Sequence, residues 1–284
     1  RGGGFVNFGR AVLAVAGLSP QMRERFRSAD ALLAGSEAWR CLHLPDMGAG
    51  RSAFGVAVVR GVLVMVGGLS GNQGEPTAAC ERCDLTVGEP CWEPLPSLSR
   101  PRVAAQCVAF GEEVLVVGGS VPDTGFVGSV ETCRVVGHGP RSWVDHRASP
   151  LQVPRHAFGC CVATLEGQSY MFACGGHNHE GSLRSCEVVA LGGDSGCGGA
   201  DLRLPDLPEP RMGCSAATIR ASPSGGGPAR DWLAVVGGSR DEEAEPESTV
   251  LALDLSGLLL LSRQGDAAAG AVASAASWRK DVLP

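Results

Sequence analysis

A short apolar run closed by two glycines occurs four times in this chain, at Val62–Gly68, Val114–Gly119, Tyr170–Gly176 and Trp232–Gly238. A degenerate fifth copy, Val12–Gly17, ends on a single glycine. The second glycines lie 51, 57 and 62 residues apart, and Gly17 precedes Gly68 by 51. A regular period of this size marks a supersecondary unit repeated along an array. An apolar run of about five residues before Gly-Gly reads as a buried strand ending at a sharp turn. Glycine can enter positive φ there, and its missing side chain allows close backbone approach.

Other landmarks keep step. An arginine precedes each second glycine: Arg51 and Arg102 by 17 residues, Arg155 by 21 and Arg211 by 27. The two longer intervals hold the insertions Leu165–Ser169 and Ser222–Pro228. A proline-containing stretch leads into each arginine: Leu44–Met47, Leu95–Leu98, Leu151–Pro154 and Leu204–Leu207. Trp39, Trp92 and Trp143 recur 53 and 51 residues apart, and Trp278 returns near the end. The repeat built on Gly176 lacks that tryptophan.

Arginine, apolar strand, Gly-Gly, then Ser129–Cys133 or Ser185–Val188, then tryptophan and Leu-Pro: this order resembles the kelch repeat. The resemblance covers essentially the whole chain, and the Arg102–Trp143 unit carries it best. It departs at Cys83 and Cys133, which stand where an aromatic is usual, and at the lone Gly17. The resemblance implies an all-β, kelch-type β-propeller of about five four-stranded blades. A single domain over residues 1–284 is expected, truncated at both ends, with a six-bladed propeller as the parent. Within the Arg102 unit the strands are expected near 103–110, 114–117, 130–135 and around Trp143. Insertions are expected in loops at 20–28, 192–200, 222–230 and 240–248, and the Ala-rich segment 266–277 as a loop before a last strand at Trp278.

Composition narrows the function classes. A net charge of −6 argues against a broad phosphate-binding surface, so no nucleic-acid partner is expected. No stretch approaches the ~20 apolar residues of a membrane helix. The segment from Arg10 to Leu18 imitates a secretory signal, but the repeat register explains it as an inner strand. The expected compartment is the cytoplasm, with the nucleus as the alternative.

Twelve cysteines invite a metal or disulfide reading, and Cys80–Cys83 has Cys-x-x-Cys spacing. Aligned across repeats, however, Cys80, Cys83, Cys107, Cys133, Cys160 and Cys186 fall on strand positions, where free cysteine acts as a small buried hydrophobe. No metal and no cofactor is expected. His177 and His179 lie in the loop after Gly176, and the acidic run 241–247 occupies the same loop of the last repeat. Solvated loop tips are the plain reading of both, with recognition of a basic partner open to the acidic run.

Antiparallel strands a to d place the b–c and d–a loops on one face. That face gathers Arg51, Asn72, Arg102, Arg155, His177, Asn178, Arg211 and Arg240 as partner-binding candidates. The four repeat arginines carry two readings: structural guanidinium groups pairing with Glu81, Glu131 and Glu187, or a positively charged mouth for acidic peptide segments. No catalytic residue is assigned; no Gly-x-Ser-x-Gly, phosphate loop or His-Glu-x-x-His is present. The expected function is protein–protein interaction, which the resemblance extends to the substrate-recognition arm of a ubiquitin ligase. The resemblance leaves two alternatives, a kelch-type enzyme such as a sugar isomerase and a cytoskeletal scaffold. A copper-oxidase site with two tyrosine ligands is excluded, because Tyr170 is the one tyrosine present.

Overall fold

The computed structural model describes residues 4–8, 11–19, 24–34, 39–71, 73–137, 141–146, 150–192, 202–222, 228–241, 243–256 and 277–280. Before residue 44 it describes the backbone, and of the side chains only Arg27. The chain forms two compact units, residues 1–150 and 151–284.

Five antiparallel meanders hold most of the described strands, lettered a to d within each; the others form two- and three-stranded sheets at the b–c loops. In the first unit, sheet one holds Gly4–Phe8, Ala11–Ser19, Glu24–Ala34 and Trp39–Leu44. Sheet two holds Gly55–Val59, Val62–Val66, Cys80–Asp84 and Trp92–Leu95. Sheet three holds Gln106–Phe110, Glu113–Val117, Val130–Arg134 and Val144–Asp145. In the second unit, sheet four holds Gly159–Leu165, Gln168–Cys174 and Cys186–Leu191. Sheet five holds Ser215–Ala221, Arg230–Val236, Val250–Asp254 and Arg279–Lys280. The fold is therefore all-β, with one such meander to each sequence repeat.

Two expected loop segments need correction. Residues 24–28 are strand, not loop, because Ser19, Leu18 and Gly17 pair with Glu24, Arg25 and Phe26. At the lone Gly17 the register shifts between Val15 and Gly17, and pairing continues to Ser19. Arg230, expected in a loop, starts strand b opposite Ala221. Sheet four lacks a fourth strand among the described residues, and its repeat is the one without the tryptophan. The loop segment 193–200, residues 223–227 and the Ala-rich 257–276 lie outside the described residues.

The continuous apolar runs are explained by burial on both faces. Val62, Val64 and Val66 join Ala57, Val59, Val114, Val116 and Cys133 in a core between sheets two and three. Leu63 and Met65, alternating with them, point to the other face with Met47, Phe54 and Cys83. In the second unit Phe172, Cys174, Leu233, Val235, Leu251 and Leu253 form the matching core. Each fully buried aliphatic side chain contributes about 1.5–3 kcal/mol.

In two of the pairs the two glycines do different work. A Cβ on the first would sit 2.6 Å from the carbonyl oxygen of Arg102 at Gly67, and 2.4 Å from that of Arg211 at Gly175. The second donates its N–H to the same oxygen, Gly68 to Arg102 at 2.8 Å and Gly176 to Arg211 at 2.7 Å. At these two pairs one repeat docks on the arginine of the next. A second bond joins repeats nearby: Ala104 N–H donates to Ala53 at 2.7 Å, and Gly213 N–H to Ala157 at 2.7 Å. All four of these residues take left-handed backbone, with φ of 51°, 51°, 66° and 50° for Ala53, Ala104, Gly213 and Ala157.

The tryptophans make a third link. Trp92, Trp143 and Trp278 donate Nε1–H to the carbonyls of Pro45, Pro96 and Pro205, at 2.8, 2.8 and 3.1 Å. Each acceptor is the proline of the Leu-Pro that ends the previous repeat. Among the described residues no helix is long and apolar enough to cross a membrane.

Candidate functional site

The residue after each repeat arginine pairs with the residue after each Gly-Gly: Ser52 with Leu69, Val103 with Ser120, His156 with His177 and Met212 with Ser239. This pairing sets the d–a junction beside the b–c loop, as strand alternation requires. The b–c loops are themselves small hairpins in three repeats, Leu69–Pro76, Ser120–Phe126 and His177–Ser182.

The four arginines start at this junction and turn inward. Arg51, Arg102, Arg155 and Arg211 are only 3, 5, 0 and 1% exposed. Nη1 of each donates to the carbonyl of its own first glycine and to a carbonyl at the start of strand c. For Arg155 these are Gly175 at 2.7 Å and Ser185 at 2.8 Å, and for Arg102 Gly118 at 2.9 Å and Ser129 at 3.0 Å. Nη2 reaches a strand-c carboxylate: Glu81 at 2.6 Å from Arg51, Glu131 at 2.8 Å from Arg102 and Glu187 at 2.6 Å from Arg155. The carboxylates also accept backbone N–H groups of Gly48, Ser99 and Gln152, each three residues before the arginine. The structural reading of the arginines accounts for this geometry. Guanidinium groups so engaged offer no cationic mouth, which removes the physical basis for expecting an acidic segment there.

The last repeat departs in a coordinated way. Leu251 stands where the glutamate would be, and Pro208, with no N–H, stands three residues before Arg211. Arg211 keeps its bonds to Gly237 at 2.8 Å and to the Thr249 hydroxyl at 2.5 Å. Acceptor and donor are missing together, and among the described residues no carboxylate pairs with the buried Arg211 cation.

The other candidate residues differ in availability. Asn178 is buried, and its Oδ1 accepts the Glu180 N–H at 2.8 Å, so it shapes the turn rather than facing outward. Arg240 is exposed and held by Glu247 at 3.1 Å and Glu209 at 2.8 Å. His177 is partly buried, its ring 5.5 Å from that of His156. Asn72 lies outside the described residues.

Within the second unit, the b–c loops of the fourth and fifth repeats border a cleft of about 400 Å³ lined by His177, Gly181, Ser182, Asp241 and Glu243. Asp241 Oδ1 accepts the N–H groups of Glu243 at 3.0 Å and Ala244 at 2.7 Å, which fixes the acidic loop in a compact turn. Because Arg240 is paired with two carboxylates, the wall bearing Asp241 and Glu243 is electronegative. Sequence reasoning noted His177 and the acidic run separately; their meeting depends on how neighbouring hairpins pack. His156 went unnoticed, although its place directly after the repeat arginine is the signal that pairs it with His177.

Cys80 and Cys83 lie on opposite faces of strand c, in different cores, so the Cys-x-x-Cys spacing does not bring two sulfurs to one site. Burial pushes the thiols of Cys80 and Cys83 up to about 12 and about 11. Among the described residues no group of three or more His, Cys, Asp or Glu is placed to hold a metal ion.

No protein-family model matches the chain, and no curated protein does. Solved structures do match: that of YjhT aligns with a TM-score of 0.65 at 10% identity, covering 89% of this chain and 80% of the other. At that identity the likeness is one of fold.

Proposed function

We propose that this chain is a kelch-type β-propeller module whose b–c and d–a loops bind a protein partner. The cleft between the hairpin of His177–Ser182 and the acidic loop carrying Asp241 and Glu243 is the observation that carries this reading. Its walls come from loops that differ between repeats, while the strands, glycine pairs and buried arginines beneath them recur. Variable loops on a repeated rigid scaffold are the usual arrangement of a recognition surface. With the arginines turned inward and carboxylates on the cleft wall, the preferred segment is an extended peptide bearing lysine or arginine, not an acidic one. Service as the substrate-recognition arm of a ubiquitin ligase is one setting for such a module, and it rests on the kelch resemblance.

Selection of peptides from a random displayed library tests the reading. Binders rich in lysine and arginine are expected, and Asp241→Asn with Glu243→Gln should weaken them about tenfold while leaving the unfolding midpoint in place. Selected peptides with no basic bias, bound equally by that variant, would contradict it.

A further inference from the structure

Cys174 ends strand b of sheet four and Cys186 begins strand c, and the two are direct cross-strand partners. The next pair along, Gly175 and Ser185, is hydrogen-bonded through the Gly175 N–H at 3.1 Å. Hydrogen-bonded and non-hydrogen-bonded pairs alternate in an antiparallel ladder, so Cys174 and Cys186 form a non-hydrogen-bonded pair. Such pairs have Cα atoms about 4.5 Å apart with side chains on one face. That lies inside the ~4.4–6.8 Å range that a disulfide spans. Cys186 packs against the core that holds Cys174, and the neighbouring Cys186 thiol together with burial pushes the Cys174 thiol well up. The same position in the other repeats holds Val66 with Cys80, Val117 with Val130 and Val236 with Val250. Only this repeat places a cysteine on both strands.

We infer that Cys174 and Cys186 form an oxidisable dithiol, a modification site at which a peroxide closes a disulfide across the base of the hairpin carrying His177 and Asn178. Cys186 is partly exposed and Cys174 fully buried, so Cys186 reacts first. Its sulfur attacks one peroxide oxygen; the O–O bond breaks, leaving a sulfenic acid and releasing water after proton transfer. The Cys174 sulfur then attacks the Cys186 sulfur, the S–O bond breaks, and the departing hydroxide takes the Cys174 proton as a second water. Two thiols are oxidised by two electrons and one peroxide is reduced to two waters. Dithiothreitol reverses the bond by thiol–disulfide exchange. The bond would tether residues 174 and 186, restraining the loop that holds the cleft-lining residues His177, Gly181 and Ser182.

The test is treatment of the folded protein with hydrogen peroxide, blocking of remaining thiols with N-ethylmaleimide in denaturant, and digestion with trypsin and a glutamate-specific protease. These cuts separate Cys174, in 167–180, from Cys186, in 185–187, and both from Cys197. The expected result is a cross-linked 167–180/185–187 species, lighter than its parts by two hydrogens, that dithiothreitol removes. Cys174→Val and Cys186→Val, which install the residue found there in other repeats, should each abolish it without changing the circular dichroism spectrum. Recovery of both cysteines as maleimide adducts while exposed Cys91 is oxidised would overturn the inference. So would Cys186 advancing to the sulfinic acid with no cross-link.

Discussion

Gly176 N–H donates a 2.7 Å hydrogen bond to the carbonyl oxygen of Arg211, and a Cβ on the preceding Gly175 would lie 2.4 Å from that same oxygen. The glycine pair is therefore an inter-repeat contact as well as a turn. Gly175→Ala must place an alanine at φ 64° and also displace the backbone of the next repeat. Gly237→Ala meets the same strain at φ 66°, but among the described residues its Cβ would have only Glu247 O, at 3.5 Å, nearby. Overpacking of this kind costs about 1–3 kcal/mol beyond the strain. Gly175→Ala is expected to lower the urea midpoint clearly more than Gly237→Ala, and equal losses would show that strain alone is at work.

Arg102→Met and Arg211→Met should differ for a different reason. Removing Arg102 strands the buried carboxylate of Glu131, a loss of about 3–5 kcal/mol. Removing Arg211 strands only the Gly237 and Thr249 acceptors, about 1–3 kcal/mol, because Leu251 stands in place of the glutamate. Equilibrium unfolding of the two variants measures the gap. A smaller loss for Arg102→Met would show that the ion pair is not the anchor.

Stability should fall at alkaline pH through the buried cysteines. Desolvation raises the thiols of Cys161 and Cys214 from 9.0 to about 12 and about 11. Above pH 9 these thiols ionise in the unfolded chain and stay neutral in the fold, so the unfolded state binds fewer protons. The contribution is intact below pH 9 and is lost as pH rises toward 11–12. Cys161→Val is expected to flatten the decline in urea midpoint between pH 8.5 and 10.5, taken as roughly the lower part of that window. An unchanged slope would exclude this thiol as a source.

Much of the fold was readable because its strands are buried on both faces. Val62–Val66 and Val114–Val117 had to be apolar throughout, and Gly67-Gly68 had to follow Val66 where the next repeat approaches. Gly17 stands outside the pattern because a single glycine can be absorbed as a register shift. The candidate site was less readable. Asn178 looks like an exposed loop residue, yet its side chain is consumed by its own turn. The joint change to Leu251 and Pro208 is visible in the letters, but it acquires meaning only when strand register places both beside Arg211. The cysteine pair likewise emerges from cross-strand register, since Cys174 and Cys186 share no short motif.

The central claim is that a partner segment sits between the hairpin of His177–Ser182 and the acidic loop of Asp241. A lysine-containing peptide ligand carrying a photo-reactive group, bound to the protein, irradiated and mapped by mass spectrometry, tests it most directly. The account predicts cross-links on residues 177–182 and 240–247, lost with Asp241→Asn and Glu243→Gln. Cross-links confined to the a–b turns at Arg60–Gly61, Gly111–Glu112 and Glu166–Gly167 would contradict it.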